Sequence, residues 1–313
     1  MQTRIQRSML ILPVNVPRFV EKAYLRGADA IVLDLEDAVP RSEKDNARQL
    51  VKDAVVMAGQ GGADVLVRVN NDPALLDKDL EATVHPGLHA VFMPKIEAPE
   101  QITALGAKLS DIELRRGIQV GQTKVAVHIE SPRGVLKLQD IVAAGTRVES
   151  VSMGVDDYCL SLGIEPSEDA MELLLPVSMM IIVCKAAGIS PMGIFGSVAG
   201  YRDAVGFERA ARQSCDIGCT GAFCIHPDQV PILNRVFSPP PARIEHARRV
   251  VAAFEEGLKN GRASVSLDNR MVDPPIYKQA LLVIERAEAI SNLEQRKAQA
   301  LTRAGHTNEC SNK

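Results

Sequence analysis

The sequence predicts an α/β fold, a (β/α)8 TIM barrel with a C-terminal helical extension, and three observations carry that prediction. Eight short runs rich in Val, Ile and Leu recur through the first 230 residues, each separated from the next by enough chain for a crossover helix. The stretches between them carry apolar residues at three- and four-residue spacing. An open doubly wound sheet would place a glycine-rich phosphate turn after its first strand, whereas here Leu12 leads into PVNVPR.

The runs are SMLIL at 8–12, AIVLDL at 30–35, VLVRV at 65–69, HAVFM at 89–93, VAVHI at 125–129, VESVSM at 148–153, PMGIF at 191–195 and GAFCI at 221–225. Between them, PRFVEKAYLRG and EKDNARQLVKDAVVMAG read as helices that stop at a glycine, and APEQITALGAKL as a third. GIFGSVAG at 193–200 lacks the G-x-G-x-x-G spacing and reads as a barrel-end loop. After Ile225 the pattern changes. SPPPARIEHARRVVAAFEEGLKNG is a proline-initiated amphipathic helix and PPIYKQALLVIERAEAISNLEQRKAQAL a second, with RASVSLDNRMVD between them. The chain therefore divides into a barrel at 1–237 and a helical appendage at 238–313. The appendage is expected to lack its own core, to lie on the barrel or on a neighbouring subunit, and to fray from Thr302.

Composition narrows the function. Thirty-six Lys and Arg against 39 Asp and Glu give a net charge of -3, without the basic excess that nucleic acid demands. No apolar run is long enough to span a membrane or serve as a signal h-region, so a cytoplasmic protein without a membrane partner is expected. Six cysteines are too sparse for a disulfide scaffold. Cys215, Cys219 and Cys224 with His226 would place zinc ligands on a helix and an apolar strand, so buried reduced thiols are the expectation.

Barrels keep their reactive groups at the carboxyl ends of the strands, and charge crowds there in this chain. The second run ends among Asp34, Glu36 and Asp37, the third at Arg68 and Asn70, and the fourth at Lys95. The fifth leads into Glu130, the sixth into Gly154, Asp156 and Asp157, and the eighth into His226. Taken singly these are turn or capping residues; six strand ends together point to a site. Two carboxylates from adjacent strands suit a hard divalent cation that keeps several waters, with Glu130 and either Asp156 or Asp157 as ligands. No H-E-x-x-H and no G-x-S-x-G is present, and Ser131 has no evident base, so zinc and serine-nucleophile chemistry are disfavoured. Arg68 offers a planar fork for a carboxylate.

At these residues the chain resembles the citrate lyase beta-subunit and malyl-CoA lyase family of the HpcH/HpaI aldolase superfamily. The resemblance runs through RSMLILPVNVPRFVEKAYLRGADAIVLDLEDAVPRSEKDNAR at 7–48, VRVN at 67, MPKIE at 93, HIESPRGV at 128, MGVDDYCLSLG at 153, IHPDQV at 225 and RMVDPP at 270, in the family's order. It implies Mg2+, with Mn2+ as substitute, on Glu130 and Asp157. It also implies that Arg68 holds a keto-acid carboxylate, that Lys95 and Glu130 contact substrate, and that Glu36 and Asp37 order waters and nearby basic groups. Asp273 matches a position that similar enzymes insert into a neighbouring subunit as acid or base, which implies a homo-oligomer, a trimer or hexamer. From the residues alone Asp273 is an N-cap ahead of Pro274. The implied reaction is metal-dependent cleavage of a beta-hydroxyacyl-CoA of malyl, citramalyl or citryl type into an acyl-CoA and a 2-oxo acid. Three alternatives stand beside it: a pyruvate or oxaloacetate aldolase on CoA-free substrates, the lyase subunit of an acyl-carrier-protein complex, and a degenerate barrel that only binds or scaffolds. Two blocks depart from the family: PVNVPR lacks a usual glycine, and GCTGAFCIHP has Ala222 where a lysine is common, which implies a less cationic pocket for the CoA tail.

Overall fold

A computed structural model describes residues 4–311, with side chains through residue 304. In chain order the barrel comprises β1 (Ser8–Pro13), α1 (Pro17–Ala23), β2 (Ala30–Asp34), α2 (Lys44–Gly59), β3 (Asp64–Arg68), α3 (Pro73–Thr83), β4 (Ala90–Met93) and α4 (Pro99–Arg115). It continues with β5 (Lys124–Ile129), α5 (Pro132–Leu136), α6 (Leu138–Ala143), β6 (Val148–Met153), α7 (Val155–Leu162), α8 (Leu174–Ala187), β7 (Ser190–Met192), α9 (Ala204–Ile217), β8 (Ala222–Cys224) and α10 (Gln229–Val236). All eight apolar runs are strands, and every pairing between them is parallel. The ring closes between β7 and β8 through a Met192–Gly221 bridge and the bonds Gly193 N to Gly221 O (2.9 Å) and Thr220 N to Pro191 O (2.9 Å). A side chain at Gly221 would put its Cβ 2.0 Å from the Gln6 carbonyl oxygen, so the strand that closes the ring starts on the one residue that fits.

Alternation along the strands separates two apolar layers. Met9, Ala30, Val32, Leu66, Ala90, Phe92, Ala126, Met192 and Phe223 fill the barrel interior. Their neighbours, such as Ile31, Leu33, Val67, Val91 and Val127, face the helices in a much larger cluster. The inward series continues upward into Asp34, Arg68, His128 and Glu130, so strand register alone delivers charge to one end.

Ala222 belongs to the outward series. It pairs with Ser8 at the start of β8 and is fully buried beneath the helices. Ala222, read as marking a less cationic CoA pocket, thus lies at the opposite end of the strand from the charged mouth, buried under the helices.

The appendage is α11 (Pro241–Lys259), β9 (Val265–Leu267), β10 (Arg270–Val272) and α12 (Pro274–Ser311). It departs from the helical expectation in three ways. RASVSLDNRMVD forms an antiparallel hairpin, turned by Asp268 and Asn269 at positive φ (51° and 59°), as a two-residue type I′ loop requires. The appendage also has a small core of its own, Ala247, Val250, Phe254, Val272 and Ala280, with Phe254 stacked on Tyr277 at 4.7 Å. Its last helix extends through Ser311, ten residues beyond the helical stretch read from the sequence. The Cys310 side chain lies outside those described.

Besides burying Ile290 and Leu293, α12 is fastened to the barrel by a charged network at the amino ends of the strands. Arg7 grips Asp29 through Nε (2.7 Å) and Nη2 (2.8 Å), Lys297 Nζ donates to Asp29 (3.0 Å) and Gly27 O (2.8 Å), and Glu294 accepts from both cations. Arg286 donates to the carbonyls of Thr220 and Phe237, each at 2.8 Å.

Candidate active site

The geometry starts from Asp34, the last residue of β2 and fully buried. Its carboxylate accepts from the backbone N–H of Glu36 (2.9 Å) and Ala38 (3.0 Å), which folds LDLEDA into a tight turn over the strand end. The same carboxylate takes Arg68 in a fork, Nε to Oδ1 at 2.7 Å and Nη2 to Oδ2 at 2.6 Å. Arg68 Nη1 lies 3.2 Å from Glu36 Oε2. Arg68 thus arrives oriented rather than free, with two of its five N–H donors left for an anion. Lys44 Nζ closes the turn from outside on the carbonyls of Leu35 (2.6 Å) and Glu36 (2.5 Å).

Lys95 joins this turn to the next pair of strands. It sits just past β4 in the left-handed region, φ 55°, an uncommon conformation for a non-glycine. Asn71 stabilises it by donating Nδ2 to the carbonyls of Pro94 (3.0 Å) and Lys95 (2.8 Å). The result aims both ends of the residue: Lys95 N donates to Glu130 Oε2 at 2.7 Å, and Nζ reaches Glu36 Oε1 at 2.6 Å and Asp37 Oδ2 at 3.2 Å. Burial holds the Glu36 carboxyl above its ordinary value despite Arg68 and Lys95, while Asp37, more exposed, is held below by its hydrogen bond with Glu36 and by Lys95. Neighbouring carboxylates raise the Lys95 ammonium against its partial burial.

Glu130 follows β5 and is 5% exposed. Burial, then the adjoining Asp157 carboxylate, push its pKa up to about 8. Asp157 stands in the first turn of α7, so the two carboxylates come from neighbouring strand ends as the sequence reading expected. Gly154 makes the approach possible: a Cβ there would meet Glu130 Cγ at 2.6 Å, Glu130 Oε1 at 2.7 Å and His128 Nε2 at 2.7 Å. Lys95, Glu97, Glu130, Ser131 and Asp157 line a cavity of about 260 Å3. Ser131 caps α5 on Gly134 N and bonds Glu97 Oε1 at 2.5 Å, a structural role. Two hard-oxygen carboxylates on one cavity that has room for several waters are a donor set that fits Mg2+.

Of the other strand-end residues, Asn70 is pinned by buried Asp79 and supports the Leu35 carbonyl. Asp156 points away and accepts from the Ser197 hydroxyl at 3.0 Å. His226 stacks on Tyr201 (5.0 Å) beside Asp228 and does not join the carboxylate pair. Asp273 caps α12, accepting from Ile276 N at 3.2 Å, on the same helix as Arg286 and some 20 Å from it at about 1.5 Å rise per residue. It is not among the residues that line the cavity beside Glu130. Sequence reasoning missed Lys44, Asn71 and His128. Only His128 carried a signal, since it alternates with Glu130 on the inward face of β5. Its ring lies between Phe92 (5.0 Å) and Phe223 (5.8 Å), and burial, then the charges of Arg68 and Lys95, depress its pKa to about 3. Cys184 and Cys219 are buried free thiols that burial pushes up to about 12.

Comparison with known proteins matches residues 7–227 to the family described as HpcH/HpaI aldolase/citrate lyase. The citrate lyase subunit beta of Escherichia coli K12 is 34% identical over 92% of this chain and 95% of its own. The (3S)-malyl-CoA thioesterase of Cereibacter sphaeroides KD131 is 33% identical over 91% and 95%. The protein CitE of Mycobacterium tuberculosis, solved with magnesium, acetoacetate and coenzyme A, superposes with a TM-score of 0.71 at 24% identity, covering 92% of this chain and all of that one.

Proposed function

The chain belongs to the HpcH/HpaI aldolase/citrate lyase family, and from that premise we propose that it is a Mg2+-dependent carbon–carbon lyase. Its substrate is a beta-hydroxyacyl-CoA of malyl, citramalyl or citryl type, and its products are an acyl-CoA and a 2-oxo acid. The observation that carries this reading is the Glu130–Asp157 pair, two carboxylates lining one cavity at the barrel mouth, with an arginine held in a fork at the end of β3.

Mg2+ held by Glu130 and Asp157 supplies Lewis acidity toward the substrate hydroxyl and carboxylate oxygens. The remaining steps belong to the chain. Arg68, fixed by Asp34, presents its two spare donors to the carboxylate and to the negative charge that grows on the hydroxyl oxygen. One preorganised contact of this kind contributes roughly 3 to 4 kcal/mol to the barrier. The Lys95–Glu36–Asp37 cluster holds the mouth in shape and screens like charges from one another. Phe92, Phe223 and His128 pack ring on ring inside the barrel. Once the hydroxyl proton has passed to solvent water at the open mouth, the carbon–carbon bond breaks, its electron pair becoming the thioester enolate as the 2-oxo acid forms. The enolate then takes a proton to give the acyl-CoA. Asp273 of a neighbouring copy is the proposed donor, which makes the working unit a homo-oligomer.

Purified protein with Mg2+ is expected to cleave one of malyl-CoA, citramalyl-CoA or citryl-CoA, and Glu130→Ala and Asp157→Ala are expected to abolish turnover. Normal rates and metal dependence in both variants would exclude the assignment. Mixing Asp273→Ala with Glu130→Ala chains should restore activity if the donor is shared; without restoration, Asp273 is only the cap it forms in its own chain. The 34% identity to a citrate lyase subunit supports a second reading, a lyase subunit acting on acyl-carrier-protein thioesters. Copurification of an acyl carrier protein, with no turnover of free CoA thioesters, would favour it.

A further inference from the structure

The carboxyl end of β3 carries a hydrogen-bond pattern that the strand ladder does not supply. Asp34 on β2 and Arg68 on β3 are register partners, and the ladder continues one step past them, Leu35 N donating to the Arg68 carbonyl at 2.9 Å. In a parallel pair the next rung would be Asn70 N on the Leu35 carbonyl. That N–H turns instead to Asp79 Oδ2 on α3, at 2.9 Å. The Asn70 side chain bridges the gap, Nδ2 donating to the Leu35 carbonyl at 2.9 Å and to the same Asp79 oxygen at 2.6 Å. Asp79 therefore decides where β3 leaves the sheet, two residues beyond Arg68.

A carboxylate is an unusual choice for that place. Asp79 is fully buried, where a barrel helix ordinarily presents an apolar group. Its cation partner is Arg48 on α2, Nη1 to Oδ1 at 2.8 Å. Desolvation offsets most of what such a pair gains, so it is a poor source of stability. What it provides is direction: one carboxylate accepts from three donors on two elements, at both of its oxygens, which neither an apolar side chain nor an amide can do. Neither Asn70 nor Asp79 is among the residues that line the cavity beside Glu130, so what reaches the site from them passes through the strand ends. The path is short. Asn70 fixes the Leu35 carbonyl, Leu35 follows Asp34, and Asp34 takes Arg68 in its fork at 2.7 and 2.6 Å.

We propose that Asp79 is a positioning residue for the lyase reaction. Acting through Asn70, it ties the ends of β2 and β3 together so that Arg68 enters the Asp34 fork with its two spare donors turned to the substrate carboxylate. This rests on the reading of Arg68 as the carboxylate-binding group.

The test is steady-state cleavage of malyl-CoA, citramalyl-CoA and citryl-CoA by the intact protein with Mg2+. Mn2+ affinity by electron paramagnetic resonance and the thermal midpoint are recorded for each variant. Arg68→Lys should lower kcat/KM about tenfold or more. Wild-type turnover in that variant, or no turnover of any of the three thioesters by wild type, means that the reading of Arg68 fails and the proposal falls with it. Given that control, Asp79→Asn keeps the size of the side chain and should lower kcat/KM about 10- to 100-fold, the scale of a small misplacement transmitted from a distance. Its Mn2+ affinity should stay within about twofold of wild type, as for independent sites. In the Arg68→Lys background the same substitution should cost no more than about twofold further, because the group it positions is gone. Asn70→Ala keeps the Arg48–Asp79 pair, should show the same pattern, and serves if Asp79→Asn does not fold. Wild-type kcat/KM in a folded Asp79→Asn or Asn70→Ala would overturn the proposal. So would parallel losses of kcat/KM and Mn2+ affinity, or full multiplication of the two losses in the double variant, either of which would mark a merely structural role.

Discussion

At the residue scale the site depends on side chains forced closer than free residues would sit. Gly154 is the clearest case, because the space a Cβ would occupy is already taken by Glu130 and His128. Gly154→Ala should therefore lower Mn2+ affinity at least tenfold while the circular dichroism spectrum stays native, since Glu130 can move only by leaving its place beside Asp157. An alanine variant that binds as wild type does would show that the close approach is not required. Lys95 shows the same economy in backbone form. Its positive φ aims N–H at Glu130 and ammonium at Glu36, and Asn71 holds both Pro94 and Lys95 carbonyls to keep it there. Asn71→Ala removes those bonds and should cost about 1 to 3 kcal/mol of stability, with turnover falling more than substrate affinity. Neither Asn71 nor the conformation of Lys95 was legible in the sequence, because a left-handed lysine leaves no compositional mark.

Among the elements, the join of α4 to β6 is held by one buried ion pair. Glu113 near the end of α4 bonds Arg147 (2.7 Å) and accepts from Gly121 N (2.8 Å) and Thr123 N (2.7 Å). Burial alone would raise its pKa, but Arg147 and the two N–H groups outweigh it and bring the carboxyl down to about 2. Since the folded value lies below the ordinary 4.5, this stabilisation is complete above about pH 4.5 and is lost as pH falls toward 2. Glu113→Gln should be less stable than wild type at pH 7, and the gap should shrink across that window in urea titrations. Glu113→Ala, which strands Arg147, should cost about 3 to 5 kcal/mol at pH 7. A constant gap from pH 7 to pH 2 would remove the acid-side role. The eight strands themselves were legible, because each parallel strand buried on both faces must be an apolar run. The hairpin in the appendage was not, since its strands are three residues each and exposed apart from Val272 and the partly buried Val265 and Leu267.

For the whole molecule, the two ends of the barrel have separate tasks. The amino ends of the strands carry the Arg7–Asp29–Lys297–Glu294 network that fastens α12, and the carboxyl ends carry the candidate site. Lys297→Met should lower the thermal midpoint and open the segment after Phe237 to proteolysis, yet leave Mn2+ affinity unchanged; a matching loss of metal binding would show that the two ends are coupled. The sequence by itself determined the barrel, the order of its strands and the crowd of charge at their ends, because apolar periodicity and strand-to-helix alternation are local properties of a chain. Only the tertiary structure decided that Glu130 meets Asp157 rather than Asp156, that Asp34 takes the fork of Arg68, and that Ala222 lies far from the mouth. Those outcomes are distances between residues remote in sequence, and strand register and close packing, which no single segment encodes, set them.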